Sequence, residues 1–258
     1  MRLIDTHAHL YLEQFSDRRH QVMERASDNH VDTVLLPNID SSTWEPMISM
    51  CNDYPERCFP MAGLHPNSVK QDYRKELELV DSWLEQYSFC AIGETGIDLY
   101  RDKTFATEQE FAFKHQIELA LAHSLPVVIH TRNSFDEVYP IVYEASKRGL
   151  TGVFHCFTGN AEEAGKVVAT GFKIGIGGVV TFKNSNLPGV LGSIGMEHIL
   201  LETDAPFLAP APYRGKTNES AYLRFVAMKV AAIKKLSPEE VANITTRNAL
   251  ELFKLPSI

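Results

Sequence analysis

The chain has 258 residues, 44% hydrophobic and 22% charged, a composition that supports a sizeable core and excludes a disordered chain, a fibrous repeat and a small disulfide-stapled scaffold. Lys+Arg 25 against Asp+Glu 33 gives 25 − 33 = −8, which argues against gripping duplex nucleic acid over a broad basic face. The charge is uneven: residues 205–258 carry 8 basic and 4 acidic residues (+4), which leaves −12 for residues 1–204.

No run reaches the ~18 apolar residues needed to span a bilayer, and Met1-Arg2-Leu3-Ile4-Asp5 lacks the layout of a secretory signal. A cytoplasmic protein without membrane attachment or an obligate protein partner is expected. Cys51, Cys58, Cys90 and Cys156 form no Cys-x-x-Cys pair, so reduced, mostly buried thiols are expected.

In chain order, apolar and β-branched runs predict eight strands: Arg2–Thr6, Thr33–Pro37, Cys58–Gly63, Phe89–Glu94, Pro126–His130, Gly152–His155, Phe172–Gly175 and Ile199–Glu202. Longer helical stretches separate them. Thr107-x-x-Glu110 reads as a capping box, as does Ser237-Pro238-Glu239-Glu240 with its first-turn proline. A Pro-rich loop, Ala205 to Tyr213, follows the last strand, and two helices then end near Phe253. Eight alternating βα units predict a closed (β/α)8 TIM-type barrel, one domain over residues 1–258. The alternative is an open doubly wound sheet, weakened because no Gly-x-Gly-x-x-Gly follows the first strand.

A barrel carries its chemistry at the C-terminal ends of its strands. Those ends present Asp5, His7, His9, Asn38, His65, Glu94, His130, Arg132, His155, Glu202 and Asp204. Five of the ten histidines are among them, whereas His20, His30, His115, His123 and His198 fall in helices or connections. His7-x-His9 is weak as a bare pattern, but the two-residue period of a strand turns both rings to one face. Glu94 at the end of an apolar strand is costly to desolvate unless it meets a cation. A salt bridge to Arg132 is the plainer reading of Glu94, and a loop cap that of Asp204. Together, four imidazoles and two carboxylates on one rim suit one or two divalent cations, with Glu94 able to bridge. Zn or Mn fits mixed ligation best, and Mg prefers oxygen.

Seven segments carry a resemblance to a known family: Asp5-Thr6-His7-Ala8-His9-Leu10, Gly63-Leu64-His65-Pro66, Gly93-Glu94-Thr95-Gly96-Ile97-Asp98, Pro126 to Arg132, His155-Cys156-Phe157-Thr158-Gly159, Glu202-Thr203-Asp204-Ala205-Pro206 and Arg214-Gly215-Lys216-x-Asn218-Glu219. The chain resembles the TatD-like metal-dependent deoxyribonucleases of the amidohydrolase superfamily. The resemblance implies a two-metal barrel in which His7 and His9 hold one metal, Glu94 bridges, and His130 and His155 hold the second. Asp204 is then a ligand of the first metal that also takes the proton of the attacking water. His65, Asp98 and Arg132 are similar to positions near the substrate, and Glu202 supports the ligands from behind. Many relatives carry a second basic residue and a proline where this chain has Thr217 and Ser220, which removes one potential phosphate contact.

The expected activity is hydrolysis of a DNA phosphodiester, with a single strand or duplex end as substrate. Metals and a few bases can hold such an end despite the net charge. Arg214 and Lys216, beside strand eight, are the expected backbone contacts, and Phe157, Phe182 and Phe207 are candidate stacking residues. The alternative keeps the metals and cleaves a small amide, ester or phosphate ester. An idle scaffold barrel would show an interrupted ligand set, and none of the six positions is interrupted.

Overall fold

The computed structural model describes residues 2–256. All eight expected strands form: β1 (Leu3–Asp5), β2 (Val31–Pro37), β3 (Cys58–Ala62), β4 (Ala91–Asp98), β5 (Val127–Arg132), β6 (Gly152–Phe154), β7 (Lys173–Ile176) and β8 (Ile199–Leu201). Between and after them run α1 (Arg19–Asp28), α2 (Ser41–Asp53), α3 (Tyr73–Gln86), α4 (Ala106–His123), α5 (Phe135–Ser146), α6 (Ala161–Ala169), α7 (Leu187–Ser193), α8 (Leu223–Lys234) and α9 (Pro238–Phe253).

The strands pair in sequence order and all in parallel, because each helix returns the chain to the start of the next strand. The barrel closes between its first and last strands. The Thr6 N–H and hydroxyl both donate to the Leu201 carbonyl, at 3.1 and 3.0 Å, and the His9 N–H donates to the Ala205 carbonyl at 2.7 Å. Ile4, Leu35, Met61, Ala91, Val128, Val153 and Leu200 form one buried cluster with Ala249 and Phe253 of α9. Thr246 and Asn248 of α9 donate to the carbonyls of Arg2 and Ile199, so α9 plugs the end where the strands begin. The opposite end is left for chemistry. Among the described residues, no helix is long and apolar enough to cross a membrane.

Asp5, fully buried, ties the seam together. Its carboxylate accepts from the Thr203 N–H (2.9 Å), the Thr203 hydroxyl (2.6 Å) and the Ser220 hydroxyl (2.6 Å). Burial pushes its carboxyl up to about 6 against those hydrogen bonds. Asp5→Ala strands three buried donors, so a loss of about 3 kcal/mol is expected in denaturant unfolding of the metal-free protein. A loss below about 1 kcal/mol would show that the seam does not depend on this carboxylate.

Two expectations are corrected. β4 continues past Glu94 to Asp98, because its register against β5 shifts between Ile92 and Thr95 and pairing then resumes through Asp98↔Arg132. Thr107 does not cap α4, which starts at Ala106 with no side-chain cap. The Gln109 side chain instead accepts the Asp98 N–H at 2.8 Å, so contact with β4 sets where the helix begins. The second capping box forms as expected, with Ser237 and Glu240 bonded reciprocally.

Candidate metal centre

Glu94 sits at the middle of the strand ends and is 2% exposed. The register shift in β4 places it there. Gly93 permits it, because a β-carbon at that position would stand 2.7 Å from Cβ of Val128. Five imidazoles surround the carboxylate. Its Oε1 lies 2.8 Å from His130 Nδ1, 2.8 Å from His155 Nε2 and 3.4 Å from His65 Nε2. Its Oε2 lies 3.1 Å from His7 Nε2 and 3.6 Å from His9 Nε2. Burial works upward on Glu94, yet the imidazoles, His155 foremost, hold it well below the usual carboxylate range.

His7 and His9 share a face as their spacing requires, with their Nε2 atoms 3.2 Å apart. Asp204 Oδ1 lies 3.8 Å from each. The closing seam delivers it, because the Asp204 N–H donates to the His7 carbonyl at 2.9 Å. Burial pushes Asp204 up to about 7. Burial drives His7 down, well below 6.5, so its ring is neutral. His155 goes the other way: Glu94 and Glu202 outweigh burial and raise it well above 6.5.

The remaining residues support this ring. Asp98 accepts from His130 Nε2 at 2.9 Å, and that bond and others outweigh burial to hold Asp98 at about 2. His130 therefore faces a carboxylate on each nitrogen, and those hydrogen bonds raise it despite burial. His65 Nδ1 accepts the Asn67 N–H at 3.0 Å, which leaves its proton on Nε2, toward Glu94. Glu202 accepts the Cys156 N–H and lies 3.3 Å from His155 Nδ1, without hydrogen-bond alignment. Asn38 braces the β2 and β3 loops, donating to the Gly63 carbonyl at 2.9 Å.

Tyr11 was not visible as a functional residue, although the alternation His7-x-His9-x-Tyr11 is a signal for it. Its hydroxyl donates to the Pro37 carbonyl at 2.6 Å and lies 2.9 Å from His9 Nδ1. A carbonyl only accepts, so the Tyr11 proton is committed and His9 Nδ1 must carry its own. His9 Nε2 is thereby left with a lone pair aimed between His7, Glu94 and Asp204. That is the tautomer a ligand needs, and it shows that these donors suit a cation. Tyr11→Phe is expected to weaken divalent-metal affinity by about 10- to 100-fold, read by calorimetry. Unchanged affinity would mean that the Tyr11 hydroxyl does not set the ring.

Three donor groups of ligand geometry result: His7, His9 and Glu94; His7, His155 and Asp204; His65, Glu94 and His130. The six residues expected as ligands thus lie on one rim, where His130 and His155 both reach Glu94 Oε1 at 2.8 Å and His65 stands beside them at 3.4 Å. A cavity of about 680 Å³ opens over them, lined also by Asn67, Ser68, Arg132, Val179, Phe207 and Leu208. The Arg132 guanidinium stacks on Tyr100, 3.8 Å from the ring centre. Arg214 and Lys216 do not line it; they rest over Phe182 and Tyr213. Of the candidate stacking residues, Phe207 lines this cavity, Phe157 lines a neighbouring one of about 380 Å³, and Phe182 lies under Arg214.

Residues 4–254 match the family described as TatD related DNase. The chain is 37% identical over 254 residues to a protein of Bacillus subtilis (strain 168) named "Uncharacterized metal-dependent hydrolase YabD", covering 98% of this chain and 99% of that one. It is 30% identical to the "3'-5' ssDNA/RNA exonuclease TatD" of Yersinia pseudotuberculosis serotype O:3 (strain YPIII), over 98% of this chain and all of that one. The crystal structure of YjjV, a TatD homologue from Escherichia coli K12, superposes with a TM-score of 0.93 at 27% identity, covering 99% of both chains. With a matching family pattern along nearly its whole length and candidate metal-binding clusters at the expected end of the barrel, the chain belongs to the TatD family of metal-dependent hydrolases.

Proposed function

We propose that the protein is a deoxyribonuclease that hydrolyses phosphodiester bonds of a single strand or duplex end, with His7, His9, Glu94, His130, His155 and Asp204 holding two divalent cations and Glu94 between them. The observation that carries this reading is the buried Glu94 carboxylate facing imidazole nitrogens on both of its oxygens. When bound, the cations supply Lewis acidity toward a phosphoryl oxygen and make water a stronger nucleophile.

The chain's own residues do the rest. Asp204 accepts the proton of the attacking water, and its tendency to hold a proton near neutrality suits that task. His130 would offer Nδ1, which faces Glu94, to a cation, with its Nε2 kept by Asp98. His65 turns its Nε2 toward Glu94 Oε1 at 3.4 Å. Arg132, backed by Tyr100, offers a planar fork to a phosphate at the cavity wall. The Yersinia relative's name, a 3'-5' exonuclease of single-stranded DNA and RNA, points to the same bond type.

The test is a substrate panel with and without chelation. Metal-loaded protein is expected to degrade single-stranded DNA, and EDTA to cut that rate by at least about 100-fold. A rate that survives chelation refutes the metal reading. Metal-loaded protein that leaves DNA and RNA uncut while hydrolysing an amide or small ester replaces the nuclease with the amidohydrolase-like alternative.

A further inference from the structure

Three arginines from three different elements converge on a second concavity, of about 470 Å³, outside the metal cavity. Arg18 ends the 3-10 turn Glu13–Arg18 that follows β1, Arg25 lies on α1 and Arg224 on α8. Only Arg25 is neutralised, by a two-pronged pair with Glu219 at 2.9 and 2.7 Å. Among the described residues, Arg18 and Arg224 form no ion pair, although both are exposed. The lining therefore keeps a charge of three minus one, or +2, in a protein of net charge −8. Tyr213 and Tyr222 line the same concavity, stacked 4.2 Å apart with planes 2° from parallel.

One stretch of chain lines both this concavity and the metal cavity. Tyr213 and Glu219 belong to the loop that begins at Asp204 and Phe207. Asn218 clamps that loop by donating to the carbonyls of Thr203 and Phe207, both at 2.7 Å. Arg214 over Phe182 and Lys216 over Tyr213 lie along the same loop. Forked guanidiniums without carboxylate partners favour phosphate oxygens, and aromatic faces beside them favour nucleobases.

We propose that the Arg18–Arg25–Arg224 concavity with its Tyr213–Tyr222 wall is a second binding site, which holds the phosphodiester backbone of a single strand whose end lies in the metal cavity. It rests on the nuclease reading, and it makes substrate length a determinant of affinity. A strand too short to reach the concavity is held by the metal cavity alone.

The experiment compares wild type with the Arg18→Ala/Arg224→Ala double variant, both side chains being exposed. Both are loaded with a divalent cation, and the strands carry phosphorothioate linkages so that nothing is cut. Fluorescence anisotropy measures affinity for labelled oligothymidylates of about 4 and about 15 nucleotides across a salt series. For the longer strand the double variant is expected to lose at least about tenfold in affinity. Its log–log salt slope is expected to fall by about 1.4, from two contacts at about 0.7 each. The shorter strand should bind both proteins alike.

Equal affinity and slope for the longer strand overturn the proposal, as does an equal loss on both lengths, which would place the arginines in the metal cavity's own field. Cleavage by metal-loaded wild type, measured separately, decides the nuclease reading. Cleavage with no length-dependent loss rejects this site alone, and a length-dependent loss without cleavage of any nucleic acid rejects the nuclease alone.

Discussion

Glu94→Gln is expected to empty the metal centre and reduce turnover by at least about three orders of magnitude. Glutamine keeps the shape of the side chain, so the change isolates its charge. In the wild-type protein a carboxylate 2% exposed is held ionised by imidazoles on both oxygens, and a bridging role requires that negative charge. A neutral amide places an oxygen on one side only and turns an N–H toward a cation or an imidazole on the other. Metal analysis, turnover on single-stranded DNA and circular dichroism together make the check. A folded variant that retains its metal and more than about a tenth of wild-type turnover would remove Glu94 from the centre.

Metal affinity is expected to rise steeply with pH between about 6 and 8. In the metal-free protein, His155 is raised well above 6.5 and Asp204 to about 7, so near pH 6 both carry protons that a cation must displace. Each such proton weakens apparent affinity up to tenfold per pH unit below its pKa, and two approach a hundredfold. Across the interval the expected loss on acidification is at least about 30-fold. Calorimetry in buffers of different ionisation enthalpy should show protons released on binding, more at pH 6 than at pH 8. Affinity that is flat across this range, with no proton release, would mean that neither group coordinates.

Much of this protein is legible one residue at a time. Alternating apolar runs mark eight strands because a strand buried on both faces has few other ways to be written. Polar residues at their ends mark the rim because the barrel interior has no room for them. His7, His9, His130, His155 and Asp204 are therefore placed on the rim by position alone, and Glu94 also by the cost of burying a carboxylate beside nothing. Local signals served less well where contacts from afar outweighed them. Thr107 offers a cap that the helix does not use, because Gln109 is already engaged with β4.

What the amino-acid order determined by itself was the periodicity, hence the barrel, and the types of residue delivered to its open end. The tertiary structure decided which donors face one another. Glu94 reaches the centre through a register shift that no spacing rule predicts. His65 joins His130 and His155 on one oxygen of Glu94, and Tyr11 settles the tautomer of His9 through a carbonyl on another strand. Arg214 and Lys216 lie outside the metal cavity, and Arg224 meets Arg18 and Arg25 from about 200 residues away in sequence beside their loop. The physical reason is the same throughout. Periodicity is local and survives in one dimension, whereas ligand geometry and hydrogen-bond direction depend on separations of a few tenths of an ångström between residues that only folding brings together.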